Sequence, residues 1–106
     1  MFKSMEINYF HKDIQKFFAF LDKATALKTV RLVQLLSVRE YHLTMPYSKK
    51  IGENLYELRV ISTQNVRIFY TFHQENVVLL HAVYKKTQKL EKRDFDVAQQ
   101  RLHQLQ

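Results

Sequence analysis

Two arginines and a lysine cluster are the residues of this 106-residue chain best suited to chemistry. Arg59 lies in the run Leu55–Val60, and Arg67 lies in Asn65–Phe72. In these runs the large apolar residues recur at every second position: Tyr56, Leu58 and Val60, then Val66, Ile68, Tyr70 and Phe72. Such alternation puts the apolar set on one face of a sheet and sends Arg59 and Arg67 to the other. A third run, Val77–Tyr84, is almost continuously apolar and ends in Lys85-Lys86-Thr87-Gln88-Lys89. A guanidinium is planar, always charged and matched to oxyanions, whereas lysine acts as a point charge. Arginines on one sheet face beside lysines at a strand end describe an anion site. The plainer alternatives are an arginine paired with Glu57 or Glu75 and a merely solvated lysine run.

The elements that must position these groups follow from periodicity. Met5–Phe10 reads as a short first strand, with Ile7 and Tyr9 on one side. Asp13 is a candidate cap for a helix whose Ile14, Phe17, Phe18 and Leu21 follow helical spacing. Lys12, Lys16 and Lys23 take its other face. Thr25 is the candidate cap of a second helix, Ala26 to about Glu40, with Leu27, Val30, Val33 and Leu36 inward. Together they form a helical hairpin joined near Lys23–Thr25. Pro46 closes this region, because the residue before a proline avoids the helical well. Tyr47–Asn54 is expected to be a connector turning at Gly52. Polar breaks at 62–65 and 73–76 have hairpin length, so the three later runs should form an antiparallel meander with Val77–Tyr84 central. Asp94–Leu105 reads as a last amphipathic helix carrying Phe95, Ala98, Leu102 and Leu105 on one stripe. The expectation is one α+β domain over residues 1–106, with an N-terminal strand and a helical hairpin packed on a small antiparallel sheet, followed by a C-terminal helix.

Composition narrows the partners. Seventeen Lys and Arg against ten Asp and Glu give a net charge of +7 and a pI near 9.7. That balance suits nucleic acid, a membrane surface or an acidic protein. The excess sits in residues 1–48 (seven basic, four acidic) and 49–89 (seven and three), while 90–106 is neutral. The chain has no cysteine, which excludes disulfides, thiolate metal sites and a thiol nucleophile. Its five histidines share no ligand spacing and no carboxylate cluster suits magnesium, so neither a metal nor another cofactor is expected. No apolar run is long enough to span a bilayer, and Met1–Glu6 lacks the features of a signal peptide. A cytoplasmic protein without membrane contact is the expectation.

Leu55-Tyr56-Glu57-Leu58-Arg59, Val66-Arg67-Ile68-Phe69-Tyr70 and Leu79–Lys89 together resemble the HigB-like branch of the RelE/ParE toxin superfamily. The resemblance covers nearly the whole chain, including the helical hairpin, the proline before Lys49-Lys50 and the Ala98…Arg101 helix. It departs from the family at Glu40-Tyr41-His42, where a small residue is frequent, and at Leu90-Glu91, where a Thr-Pro pair is frequent.

The resemblance implies a toxin that cleaves messenger RNA on the ribosome without metal, paired with a helix-turn-helix, HigA-like antitoxin. In-line attack by a 2′-hydroxyl requires loss of its proton, stabilisation of the phosphorane and neutralisation of the leaving 5′-oxygen. By this resemblance Arg67 meets the scissile phosphate, Arg59 grips the same phosphate or its neighbour, and Lys86 serves the leaving oxygen. Lys49, Lys50, Lys85, Lys89 and Tyr84 are the expected RNA contacts. His81 interrupts an apolar strand and reads as a hydrogen-bonded core residue. The alternative activity within the superfamily is non-catalytic inhibition of DNA gyrase, as in ParE-type toxins.

Overall fold

A computed structural model describes residues 4–86 and 91–106. The order is β1 (Ile7–Tyr9), α1 (Lys12–Ala19), α2 (Lys23–Arg39), β2 (Ser48–Gly52), β3 (Leu55–Ile61), β4 (Asn65–His73), β5 (Asn76–Tyr84) and α3 (Lys92–Leu105), with a 3-10 turn at Glu40–His42. The strands form one sheet in the order β1-β5-β4-β3-β2. The α+β class and the β3–β4–β5 meander match the expectation. The sheet itself is mixed, because β1 pairs in parallel with β5. The strand β5 is interior as its apolar run demands, but β4 holds the middle position.

The expected connector Tyr47–Asn54 is largely a strand. β2 pairs antiparallel with β3, Ser48 opposite Leu58 and Lys49 opposite Glu57. Two lysines suit an edge strand, where charge discourages further pairing, and they hide it from an apolar-alternation search. The left-handed backbone of the following turn is taken by Asn54, at φ 57°, and not by Gly52.

Both helix starts lie earlier than the sequence patterns suggest. His11 caps α1, its Nδ1 accepting from the Asp13 amide at 3.0 Å. Asp22 caps α2 by accepting from the Thr25 amide at 2.8 Å. The inward face of α2 is Thr25, Thr29, Leu32, Val33, Leu36 and Ser37, whereas Leu27 and Val30 are 51% and 53% exposed. Thr29 can be buried because its hydroxyl donates to the Thr25 carbonyl one turn back.

The sheet is covered on both faces. Ile14, Leu32 and Leu36 of the hairpin pack on Leu58, Val60, Ile68, Tyr70 and Leu79. On the other face Ala98 and Leu102 of α3 meet Leu55, Phe69, Val78 and Leu80. A bulge in β5 lets both faces be served: Phe69 pairs with His81 while Tyr70 pairs with Leu79, so Leu80 is the extra residue. Leu80 and His81 therefore share the α3 face, and the alternation restarts with Ala82 on the hairpin side.

The assignment of α2's faces yields a direct test. Leu36→Ala should cost about 2–5 kcal/mol as a core truncation. Leu27→Ala and Val30→Ala should stay within about 0.5 kcal/mol, as surface changes do. Urea unfolding followed by circular dichroism measures all three.

Candidate anion site at the end of the sheet

The helix α3 reaches across only part of its sheet face. Beyond Leu55 and Phe69 that face continues with Glu57 and Arg59 on β3 and Arg67 on β4. Arg59 stands directly opposite Arg67 in the β3–β4 register. Like charges directly opposed across a sheet repel, so their juxtaposition needs a counter-charge. Glu57 supplies it: its Oε1 lies 3.7 Å from Arg67 Nε, and the two side chains are only 9% and 8% exposed. Two guanidinium groups and one carboxylate leave a net positive charge, with Arg67 and Glu57 buried and Arg59 half-buried.

Burial pushes the Arg67 guanidinium below its ordinary value and the Arg59 charge adds to this, while Glu57 opposes both. An arginine nevertheless stays charged at any physiological pH. One Arg67 Nη donates to its neighbour's carbonyl, Val66 O, at 3.1 Å. Arg59 touches Met45 Sδ through Nη1 at 3.7 Å. Its buried Nε has no hydrogen-bond partner among the described residues. A buried donor of this kind calls for an explanation, and an oxyanion acceptor is one that fits.

Met45, Lys49, Ile51, Glu57, Arg59, Arg67 and Lys85 line a concavity of about 300 Å³. A second hollow of about 580 Å³ is lined by Phe17, Arg67, Phe69, the 82–86 strand end, Glu91, Arg93 and Asp94. Arg67 and Lys85 border both, so the hollows form one groove with Arg67 at its waist. The backbone amide of Lys85 donates to Asn65 O at 2.8 Å, which fixes the end of β5 beside β4. Anchoring of the lysine-bearing edge strand comes from the other face, where Ser48 Oγ hydrogen-bonds the Tyr70 hydroxyl. Burial raises the Tyr70 phenol to about 12, so it remains neutral.

The expected site residues divide accordingly. Arg59, Arg67, Lys49 and Lys85 come together around the smaller concavity. Lys86 is exposed and borders only the larger hollow, on the far side of Arg67. Lys50 pairs with Tyr56 and so belongs to the opposite sheet face, away from the arginines. Tyr84 also turns to the hairpin side, its ring centroid 4.6 Å from that of Phe17, although it borders the larger hollow. Lys89 lies outside the described residues.

His81 takes the core role its position suggests, stacked on Phe69 and bonded through Nε2 to Asp94 Oδ1 at 3.1 Å. Sequence reasoning missed Asp94 as a wall of the groove and read it only as a helix start. The available signal was His81 itself, a polar group in an apolar strand that needs a buried partner. Arg101 was likewise unassigned. It donates to the Leu80 carbonyl in the bulge at 2.7 Å, forms a 2.7 Å ion pair with Asp13 and lies over the Phe10 ring. This clamp ties α3 to β5 and α1. Among the described residues no group of three or more His, Asp or Glu is placed to hold a metal, and no helix is long and apolar enough to cross a membrane.

The clamp is open to a pH test. The Arg101 hydrogen bond, reinforced by its charge, holds the Asp13 carboxyl below its ordinary value. A depressed folded-state value means the stabilisation is fully present above the ordinary carboxylate range and is lost as pH falls from there through the lowered value. Asp13→Asn should therefore be destabilising at pH 7 and approach the wild type only as pH falls through the lowered value of the Asp13 carboxyl, below the ordinary carboxylate range. Arg101→Ala should keep part of its deficit in acid, because its bond to the Leu80 carbonyl does not titrate. Thermal unfolding from pH 3 to 7 reads both.

Comparison with curated proteins finds none that matches. The model of the phage-derived Gp49-like protein family (DUF891) matches residues 16–103, from α1 through α3. That span includes every residue of the groove, and on this evidence the chain belongs to the Gp49-like family, a family of RelE-like toxin domains.

Proposed function

We propose that this chain is the toxin of a toxin–antitoxin pair, that it belongs to the HigB-like branch, and that it cleaves messenger RNA in the ribosomal A site without a metal ion. The observation that carries the reading is the opposed pair of a buried Arg67 and a half-buried Arg59, whose Nε has no hydrogen-bond partner among the described residues, at a lysine-lined concavity. A phosphodiester suits this arrangement because its phosphorane gains a negative charge along the reaction path. Donors that are already oriented and desolvated stabilise that charge with little reorganisation.

In the proposed reaction the 2′-oxygen of one nucleotide attacks its own 3′-phosphorus. A new P–O2′ bond forms as the P–O5′ bond breaks, leaving a 2′,3′-cyclic phosphate and a 5′-hydroxyl. Arg67, at the waist of the groove, meets the non-bridging oxygens with Arg59 beside it. Lys86, across Arg67 from Arg59, gives a proton to the departing 5′-oxygen, while the 2′-hydroxyl proton passes to solvent, from which Lys86 is reprotonated. Glu57 is a positioning residue that holds the Nε edge of Arg67. Lys49 and Lys85 take flanking phosphates. Among the described residues no histidine lines the groove. Catalysis then rests on charge and positioning, and the ribosome supplies the alignment of the RNA. The cognate helix-turn-helix antitoxin is the partner in this reading, and the cytoplasm the place of action.

Single-turnover cleavage on programmed ribosomes tests the roles. Arg67→Ala should slow cleavage roughly a hundred- to a thousandfold with ribosome binding nearly intact. Glu57→Gln should slow it less, because Arg67 remains charged. Lys49→Ala should weaken binding and reduce its salt dependence by about one charge while sparing the chemical step. Lys86→Ala should behave as Arg67→Ala does. An Arg67→Ala protein that cleaves at the wild-type rate overturns the assignment. Inhibition of gyrase supercoiling without RNA cleavage would replace the reading with that of a ParE-type toxin.

A further inference from the structure

The outward face of α2 is the feature that neither the fold nor the groove uses. Leu27, Val30 and Val38 are 51%, 53% and 62% exposed, and Gln34 lies between them in the sequence. Positions 27, 30, 34 and 38 follow steps of three and four, so they form one stripe along the helix. Their opposites Thr29, Leu32 and Leu36 face the sheet. The stripe has no role in the chain's own core.

Its charge is equally one-sided. The helix Lys23–Arg39 contains Lys23, Lys28, Arg31 and Arg39 and no acidic residue at all. By helical phase Lys23 continues the apolar stripe at its N-terminal end, one turn before Leu27, and Arg31 lies along one side of it. Exposed apolar residues at heptad-like spacing, bordered by cations, match the acceptor half of a helix-on-helix contact. We infer that this face docks an acidic amphipathic helix of a protein partner, apolar side chains on Leu27, Val30 and Val38 and carboxylates on Lys23 and Arg31. A second copy of the chain would bring like charges together on the same patch. A nucleic acid would satisfy the cations but leave the aliphatic side chains wet. On the toxin reading the partner is the antitoxin, and only that identification rests on it. The face is separate from the groove: α2 packs on the hairpin side of the sheet, and Arg59 and Arg67 project from the other. A partner held here can bind while the groove remains open.

The test uses the whole chain and two labelled peptides, each about three heptads long with leucine at the a and d positions. One carries glutamate at its flanking positions and the other lysine. Fluorescence anisotropy should show the glutamate peptide binding and the lysine peptide failing to bind. Leu27→Asp combined with Val38→Asp should weaken the glutamate peptide by roughly tenfold or more. The helical circular-dichroism signal should be unchanged, since both positions face outward. Lys49→Glu, which alters the groove instead, should leave binding as it is, and a single-stranded RNA oligomer should not displace the peptide. Equal binding of both peptides, indifference to the double substitution, displacement by RNA, or loss with Lys49→Glu would each overturn the inference. None of these readouts depends on RNA cleavage, so they stand apart from the catalytic test.

Discussion

A five-stranded sheet has two faces to shield, and this chain has three helices to do it with. The α1–α2 hairpin packs on one face. The other is left to α3, whose Ala98 and Leu102 reach the Leu55, Phe69 and Leu80 end. What α3 does not cover must be closed by the sheet's own side chains, and there the sequence turns from apolar to charged. The anion groove is therefore the uncovered part of the core layer. Its floor is rigid because it consists of the same β3 and β4 residues that carry the hydrophobic contacts one step away.

This placement explains how two arginines tolerate each other. Withdrawal from water raises the cost of every unpaired charge, and Glu57 offsets only one of the two guanidinium groups. The remaining positive charge is held there by strand register, in which Arg59 and Arg67 have no freedom to move apart. On the proposed reading an incoming phosphate would relieve the repulsion, so that part of the favourable energy of binding would be laid down when the sheet folds. Lys49 is exposed and, with the half-buried Lys85, extends the same field outward, where salt screens it.

Much of this was legible in the chain. Strict alternation in β3 and β4 announced both the strands and the face bearing Arg59 and Arg67, because a pleated backbone permits no other disposition. The solid run of β5 likewise announced a strand flanked on both sides. Other parts carried no local signal. β2 is short, and its lysines suit an edge while resembling a loop. The choice of β1 to lie parallel beside β5 depends on contacts far apart in the chain. On α2 the apolar residues occupy both sides, so periodicity alone could not rank Leu27 and Val30 against Thr25 and Thr29. Lys50 and Tyr84 were grouped with the site because they adjoin Lys49 and Lys85 in sequence. Pleating put Lys50 on the opposite side of the sheet, and in β5 the bulge did the same for Tyr84.

That bulge sets the phase of everything after it. With Leu80 and His81 both on the α3 side, His81 reaches Asp94, and Val83 comes to lie beside Arg67. Straighten the strand here without removing a residue and the parity reverses: a histidine would enter the hairpin core, and Tyr84 would be turned onto the face of the arginines. The single extra residue, its carbonyl held by Arg101, works as a reading-frame marker written in backbone geometry. A substitution in β5 leaves this phase as it is, whereas a change in the number of residues on one side of the bulge turns that side's residues to the opposite faces of the sheet.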